Sequence, residues 1–317
     1  MSPVARTEVD PTGPDEGAAR LVPRVRAFNR LVTERIGALN DAYLSRGRPL
    51  GASRVLWEVG SAAEGVELRD VRSRLGLDSG YLSRLLRTLE ADGLVEVGQR
   101  PDDRRVRSAR LTARGRAEVA LLDRRSDELA LSLLAPLSGG QRERLVTAMG
   151  EVERLMTASA VELQTVDPEE PEVRYCLERY FAELAARDAN RFEPGEALPT
   201  ADEMRPPSGV FVIAYLRGQA VGCCGLKFNA AGMPDVAEVR RMWVDPETRG
   251  LGLGRRLLEH VEGLALEQGV ARLRLDTNEH LVEAIAMYRS AGYVDIPRYT
   301  DEAFATHWFE KSLAESP

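Results

Sequence analysis

The sequence predicts two domains of different class, an α+β domain followed by an α/β domain with a mixed sheet. The first half carries helical patterns and then two short strands around a basic loop, whereas the second half alternates strands and helices. Charge divides the chain in the same way. Residues 20–116 hold 20 Arg, no Lys and 12 acidic residues, and the rest holds 23 basic and 38 acidic residues. The basic half is therefore expected to meet nucleic acid.

The composition bounds the class of protein. At 317 residues the chain is long enough for two domains. Residues 1–19 are polar, rich in Pro and Gly and without an apolar core, so we expect a disordered leader. No apolar run reaches membrane-spanning length. Cys176, Cys223 and Cys224 lack metal-binding spacing. We expect a cytoplasmic protein with reduced, buried thiols, no metal and no membrane partner.

Helical patterns dominate the first half. Residues Arg24–Arg46 carry an apolar stripe, and Ser53 is positioned to cap a second helix. A short helix is expected over Glu67–Leu75. Asp78 then precedes Ser79–Asp92 as an N-cap, which predicts a helix-turn-helix pair.

One face of the helix Ser79–Asp92 carries side chains suited to a DNA major groove. They are Ser79, Gly80, Tyr81, Ser83, Arg84 and Arg87. Small hydroxyls and arginines reach phosphates and base edges without steric hindrance. The alternative is an ordinary solvated helix face.

A basic hairpin follows this helix. Leu94–Val97 and Val106–Leu111 read as strands, and the loop between them contains Arg100, Arg104 and Arg105. A basic hairpin tip after a helix-turn-helix is typical of a wing whose arginine enters the minor groove. The alternative is a solvated charged hairpin.

This part of the chain closely resembles the MarR family of winged-helix transcription regulators, and the match runs over about residues 20–157. The resemblance is carried by the segment GYLSRLLRTLEADGLVEVGQRPDDRRVRSARLTARG. Thr112 is placed to cap the next helix, and Ser138 and Gln141 form a capping box for the last one. The resemblance implies a homodimer built by the first and last helices, which binds a double-stranded DNA operator.

The second half begins almost without a linker, so we place the domain boundary near residue 160 and the second domain at 161–317. Val161–Val166 alternates as a strand, Pro171–Ala186 is helical, and Val210–Leu216 with Ala220–Phe228 forms a hairpin. The remaining elements are strand Ala237–Val244, helix Gly252–Gln268, strand Ala271–Thr277, helix Val282–Ala291 and strands Tyr293–Ile296 and His307–Lys311.

Glycines mark the start of one of these helices. Gly250, Gly252 and Gly254 follow the strand, and arginines 249, 255 and 256 accompany them. Unpaired N–H groups and the positive end of the helix dipole favour an anion there, and glycines let the backbone approach a pyrophosphate. The alternative is a glycine-relaxed helix start without a ligand.

Two signatures in this half resemble the GCN5-related N-acetyltransferases (GNAT). The first is Arg249-x-x-Gly252-x-Gly254 after Val244-Asp245-Pro246, and the second is Ala286–Tyr293. The resemblance implies acetyl-CoA as acetyl donor. Its contacts would come from the backbone of Met242 and Val244, the N–H groups of the loop from Arg249 through Gly250, Gly252 and Gly254 to Arg255, and the side chain of Asn278.

The same resemblance implies a role for Tyr288, which would donate a proton to the departing thiolate. General acid help of this kind is worth about 10²–10⁴-fold. Glu238, at the start of a strand, could remove the proton of the amine directly or through water. The alternatives are a core aromatic for Tyr288 and a solvated edge carboxylate for Glu238.

These expectations combine into a DNA-binding regulator fused to an acetyl-CoA-dependent N-acetyltransferase that acts on a small primary amine. Two rivals remain. In one, the second domain senses acetyl-CoA or an effector without catalysis. In the other, the winged helix serves only dimerisation or protein contact.

Overall fold

A computed structural model describes residues 16–38, 44, 47–62, 65–99, 106–187, 201–302 and 305–313. The chain divides into two compact units, Met1–Arg142 and Glu143–Pro317. The division falls inside the helix Gly139–Ser159, so most of this helix belongs with the second unit. The domain boundary near residue 160 stays a prediction.

The first unit is helical with a small antiparallel sheet. Its strands β1, β2 and β3 lie in the order β1-β3-β2. The elements are α1 (Glu16–Arg35), α2 (Leu50–Gly60), β1 (Val66–Glu67), α3 (Leu68–Leu75), α4 (Ser79–Ala91), β2 (Val95–Gln99), β3 (Arg107–Leu111), α5 (Ala113–Leu134) and the start of α6 (Gly139–Ser159).

Local capping explains where several of these helices begin. Asp78 accepts a hydrogen bond from the Tyr81 N–H at 2.8 Å. Thr112 Oγ1 accepts one from the Gly115 N–H at 2.9 Å. In α6, the Ser138 N–H donates to Gln141 Oε1 at 2.9 Å, and the Gln141 N–H donates to Ser138 Oγ at 3.4 Å. The caps predicted at Asp78 and Thr112 and the capping box of Ser138 and Gln141 are confirmed.

Three predictions for the first unit are wrong. The first helix begins at Glu16 rather than Arg24 and ends at Arg35 rather than Arg46. Residues 16–19 of the predicted disordered leader are therefore helical, and its residues 1–15 lie outside the described part of the chain. Gly37, with φ of 67°, adopts the left-handed conformation that terminates helices. Ser53 does not cap the second helix, because it lies inside α2 and is only 1% exposed. The extended residue Pro49 precedes α2 instead.

The second unit is a seven-stranded mixed sheet in the order β4-β5-β6-β7-β8-β10-β9. Neighbouring strands are antiparallel except β7 and β8, which are parallel. The elements are β4 (Val161–Val166), α7 (Pro171–Arg187), β5 (Gly209–Leu216), β6 (Gln219–Lys227), β7 (Val236–Val244), α8 (Leu253–Glu267), β8 (Arg272–Thr277), α9 (Val282–Ser290), β9 (Val294–Asp295) and β10 (His307–Ser312). The predicted α/β fold is confirmed.

Helices cover both faces of this sheet, because alternate strand residues point to opposite sides. Phe211 and Ile213 of β5 pack in one core cluster with α7, whereas Val212 and Ala214 pack in another with α8. The adjacent thiols Cys223 and Cys224 divide between the same two cores. All three cysteines are free and buried, as expected.

Helix α8 also holds the end of α6. Arg256 Nη2 donates to the Val161 carbonyl at 3.0 Å, and Nη1 donates to the Ala158 carbonyl. The first residue of β4 thus accepts one bond, and the other satisfies a carbonyl at the C-terminus of α6, where partners within the helix are missing. In the described part of the chain, no helix is both long and apolar enough to cross a bilayer.

Candidate functional site

A cleft of about 760 Å³ opens beside β7 in the second unit. Its walls come from β7, the ends of β8 and α7, the loop before α8, and α9. The volume is in the range of pockets that bind cofactors and small substrates.

The cleft exists because β7 and β8 diverge. Their parallel pairing covers only Val236–Glu238 of β7 and Arg272–Arg274 of β8. Beyond Glu238, β7 continues to Val244 without pairing to β8 in the described residues. Its edge therefore presents backbone N–H and C=O groups that a ligand can pair with, in the manner of an added strand.

A bulge in β7 sharpens the divergence. Cys223 of β6 pairs with Trp243 and Gly225 pairs with Arg240, so two residues of β7, Arg241 and Met242, lie opposite one of β6. Arg241 has φ of 54°, a conformation that is uncommon for residues other than glycine. Bulges of this kind bend a strand and redirect its side chains.

The glycine-rich loop enters α8 at one wall of the cleft. Gly250 and Gly252 have φ of 80° and 73°, and Gly252 is the N-cap of α8. Both therefore need the left-handed conformation. A Cβ on Gly254 would lie 3.1 Å from Met287 Sδ. The predicted anion site thus lies at a helix N-terminus inside the cleft.

The two arginines of the loop have protein partners. Arg249 donates from Nε and Nη2 to the Val244 carbonyl at 3.1 and 3.0 Å, and it forms an ion pair with Glu183 of α7. Arg255 donates to Ser290 Oγ of α9. Their side chains therefore tie the loop to β7, α7 and α9, and the predicted anion contacts are left to the backbone N–H groups.

Tyr288 of α9 reaches the bulge from the opposite wall. The residue is 6% exposed and lines the cleft. Its hydroxyl lies 3.5 Å from Met242 Sδ. Burial raises the pKa of the Tyr288 phenol well above its usual value, so the group keeps its proton at neutral pH.

Glu238 is 6% exposed and does not line the cleft. Its Oε1 accepts a hydrogen bond from the Tyr299 hydroxyl at 3.3 Å, and its Oε2 lies 3.7 Å from Arg240 Nη1. Burial raises the pKa of the Glu238 carboxyl, and Arg240 opposes the rise.

Asp276, at the end of β8, lines the cleft. Its Oδ2 accepts a hydrogen bond from Thr300 Oγ1 at 2.8 Å. Burial raises the pKa of the Asp276 carboxyl, while the bond from Thr300 and the charge of Arg240 lower it. The described residues contain no group of three or more His, Cys, Asp or Glu that could hold a metal ion.

In the first unit, α4 buries one face and exposes the other. Leu82, Leu85, Leu86 and Leu89 are buried, whereas the predicted contact residues Ser79, Gly80, Tyr81, Ser83, Arg84 and Arg87 are all exposed. The Arg84 guanidinium lies 5.7 Å from the centre of the Tyr81 ring. With the carboxylates of the described residues, neither Arg84 nor Arg87 forms an ion pair.

Comparison with known proteins identifies the second half. Residues 170–293 match the acetyltransferase (GNAT) family. Over 119 residues the chain is 34% identical to the IAA acetyltransferase of Azospirillum brasilense. The matched stretch covers 38% of this chain and 72% of that protein. The chain belongs to the GNAT family.

The first half matches a second family, because residues 46–106 fit the MarR family. Over 70 residues the chain is 46% identical to the HTH-type transcriptional regulator TtmR of Methylorubrum extorquens. The matched stretch covers 22% of this chain and 33% of that protein. The PaiA N-acetyltransferase of Thermoplasma acidophilum, solved with coenzyme A, is 17% identical over 48% of this chain and 98% of that one, with a TM-score of 0.39. The predicted fusion of a MarR-family region with a GNAT domain is confirmed.

The GNAT domain brings most of the residues predicted for acetyl-CoA to one cleft. Met242, Val244, Arg249, Gly250, Gly252, Gly254, Arg255 and Tyr288 all line it. Asn278 does not, since it is 4% exposed and its Oδ1 accepts a hydrogen bond from the His280 N–H at 2.9 Å. Its contact with the cofactor stays a prediction.

Sequence reasoning missed three residues of the GNAT cleft. Asp276 lies in the predicted strand Ala271–Thr277, and Tyr180 and Glu183 lie in the predicted helix Pro171–Ala186, but neither pattern assigns them a role in the site. Glu183 Oε2 accepts a hydrogen bond from Trp243 Nε1 at 3.0 Å as well as pairing with Arg249. An acidic side chain at the open end of a parallel strand was the signal that could have indicated Asp276.

The predicted wing of the MarR-family region follows α4 as a pair of strands. Its two predicted strands are present as β2 and β3. Arg100, Arg104 and Arg105, predicted to contact DNA, lie outside the described residues.

Proposed function

We propose that this chain is a cytoplasmic, bifunctional protein, a DNA-binding transcriptional regulator that also transfers acetyl from acetyl-CoA to a small primary amine. One observation carries the enzymatic half. The divergence of β7 and β8 brings the glycine-rich start of α8 and the hydroxyl of Tyr288 into one cleft.

In this proposal acetyl-CoA is a substrate held mainly by backbone groups. Its pyrophosphate lies at the N-terminus of α8, where Gly250 and Gly252 shape the loop. Its pantetheine arm pairs with the unpaired edge of β7 at Met242 and Val244. The thioester then reaches the bulge, next to the phenol of Tyr288.

The chemistry needs one acid and one base. The amine nitrogen, once neutral, attacks the thioester carbonyl, and the C–S bond breaks. Tyr288 gives its proton to the departing thiolate, because the phenol is protonated at neutral pH and lies at the cleft wall. A carboxylate takes the proton that the ammonium must first lose, and Glu238 is the residue that the sequence nominates.

Acetyl-CoA turnover against a panel of amino acids, polyamines and aminoglycosides tests the enzyme, with free thiol as the readout. Turnover on one class of amine supports the proposal. Bound acetyl-CoA without turnover on any amine would contradict it and favour a ligand-sensing domain without catalysis.

The DNA-binding half rests on the exposed face of α4. Two arginines without a described carboxylate partner, small hydroxyls and a tyrosine suit a major groove. We propose that the protein binds a pseudo-palindromic operator as a homodimer, with one α4 in each of two successive major grooves.

Exposed apolar side chains support the dimer. On α1 they are Leu21, Val22, Val25, Phe28 and Leu31, and on α6 they are Val146, Met149, Leu155 and Met156. Their exposure is between 40% and 64%, more than a soluble helix face normally leaves uncovered. Analytical ultracentrifugation checks the proposal, and a monomer at micromolar concentration would contradict it.

A further inference from the structure

One short segment of the GNAT domain contacts both diverging strands. Residues Tyr299–Glu302 lie between β9 and β10. The segment makes three side-chain contacts to β7 and β8: Tyr299 to Glu238, Thr300 to Asp276, and Glu302 to Arg240. The segment therefore holds Glu238, Arg240 and Asp276 from one side. The two carboxylates differ in whether an oxygen atom is left to receive a substrate.

Glu238 has little freedom to receive a substrate. Both of its oxygens face protein groups, the Tyr299 hydroxyl at 3.3 Å and the Arg240 guanidinium at 3.7 Å. Its side chain is buried and forms no part of the cleft wall. An amine in the cleft could therefore pass a proton to Glu238 only through an intervening group such as water.

Asp276 has the opposite arrangement. The Trp308 indole N–H donates to Thr300 Oγ1 at 2.8 Å, so the Thr300 hydroxyl is turned to donate to Asp276 Oδ2, also at 2.8 Å. This relay fixes the carboxylate. Oδ1 accepts no hydrogen bond from a described residue, and Asp276 lines the cleft.

We propose that Asp276 receives the protonated amine of the acceptor and takes its proton, and that Thr300 is a positioning residue for it. This inference rests on the proposed acetyl transfer and deepens it. The acceptor is then an alkylamine that is protonated at neutral pH, because such an ammonium both pairs with a carboxylate and needs a base before it can attack.

The ammonium gives one proton to Asp276 Oδ1, and the neutral nitrogen forms a bond to the thioester carbon. As the tetrahedral intermediate collapses, the C–S bond breaks and the thiolate takes a proton from Tyr288. The nitrogen then gives its second proton to the Tyr288 phenolate, which restores the phenol. Asp276 releases the first proton to solvent, so one proton leaves for each acetyl group transferred.

Several charged or titratable groups face Asp276 and influence the pKa of its carboxyl. They are Glu238, Arg240 and Arg241 on β7, Tyr180 on α7, Tyr288 on α9, and Tyr299 and Glu302 on the segment beside it. Burial outweighs the arginines, so the pKa of the Asp276 carboxyl is raised. Because the carboxylate is the active form, activity falls as the pH drops through this raised pKa.

The experiment compares the full-length protein with Asp276→Asn, using the amine that the panel identifies. At neutral pH kcat/KM should fall by about 10²-fold. The loss should shrink as the pH approaches the pKa of the amine itself, since free amine then arrives without its proton. A loss of equal size at every pH would mean a structural role and would overturn the proposal, as would unchanged activity at neutral pH.

Two further variants keep the outcomes distinct. Asp276→Glu should recover part of the activity with its acid limb. Thr300→Val removes a contact that lowers the pKa of Asp276, so the acid limb should move to higher pH. An acid limb that survives in Asp276→Asn but disappears in Glu238→Gln would assign the base to Glu238. If the wild-type protein turns over no amine, the proposed function itself fails.

Discussion

The hydroxyl of Tyr288 lies 3.5 Å from the sulfur of Met242. The first residue belongs to α9 and the second to the bulge of β7, so the contact joins the two walls of the cleft at the point where β7 turns away from β8. A thioester whose arm follows β7 would therefore place its sulfur beside the phenol of Tyr288, which is protonated at neutral pH.

Replacing Tyr288 by Phe should lower kcat by about 10²–10⁴-fold, since the thiolate loses its acid. Affinity for acetyl-CoA and for DNA should stay near that of the wild-type protein. Tyr293→Phe is the matched control, because that buried ring lies 5.9 Å from Tyr288 but does not line the cleft. Equal losses in both variants would indicate damage to the core rather than loss of an acid.

The glycines at the start of α8 should respond differently from a glycine in its interior. Gly252→Ala forces a left-handed conformation on a residue with a Cβ, which costs roughly 1–2 kcal/mol. It should also weaken binding of coenzyme A. Gly263→Ala in the same helix meets no atom within 4 Å and should stabilise the fold by about 1 kcal/mol. Thermal unfolding and equilibrium binding of coenzyme A measure both effects, and Gly252→Ala binding as tightly as the wild-type protein would remove the loop from the site.

Alanine replacements of arginines test whether α4 and the wing contact DNA as proposed. Arg84→Ala with Arg87→Ala should weaken operator binding and reduce the slope of log affinity against log salt by about one for each lost phosphate contact. Arg104→Ala with Arg105→Ala should do the same if the wing enters the minor groove. Arg125→Ala on α5 is an exposed control. A salt slope that matches the wild-type value would place the replaced pair outside the interface.

Ion pairs in the MarR-family region should differ in their effect on stability. Arg48 contacts Asp92 at 3.2 Å and Glu118 at 2.8 Å, and the Glu118 side chain is only 9% exposed. Arg48→Ala leaves a buried carboxylate without this charge and should cost about 3 kcal/mol. Arg110→Ala removes a pair with Glu96 that is more than half exposed, so it should cost less than about 1 kcal/mol. Urea unfolding followed by circular dichroism distinguishes them, and similar midpoints would contradict the assigned difference.

Local signals predicted much of the fold. Asp78, Thr112 and the pair Ser138–Gln141 act through hydrogen bonds between residues three positions apart, so the sequence alone indicates them. The extent of α1 was harder to predict, since an apolar stripe does not say where fraying or a left-handed glycine ends a helix.

The site was predictable in its backbone and less so in its side chains. Glycine spacing and family signatures located the loop and Tyr288. The choice between Glu238 and Asp276 could not be made in this way, because it depends on Tyr299 and Thr300, which follow them by 61 and 24 positions along the chain. Contacts between residues so far apart along the chain produce no periodic pattern in the sequence.

Trp243 gives the cleft an optical reporter. The chain has three tryptophans, and Trp243 is the one on the cleft wall, 5% exposed and hydrogen bonded to Glu183. Indole emission is sensitive to nearby charge, and this carboxylate also pairs with Arg249 of the glycine loop. A ligand that engages the loop should therefore change the fluorescence intensity of this indole. Occupancy of the cleft can then be titrated without a label, in the same cuvette and on the same chain that carries the helix proposed to bind DNA.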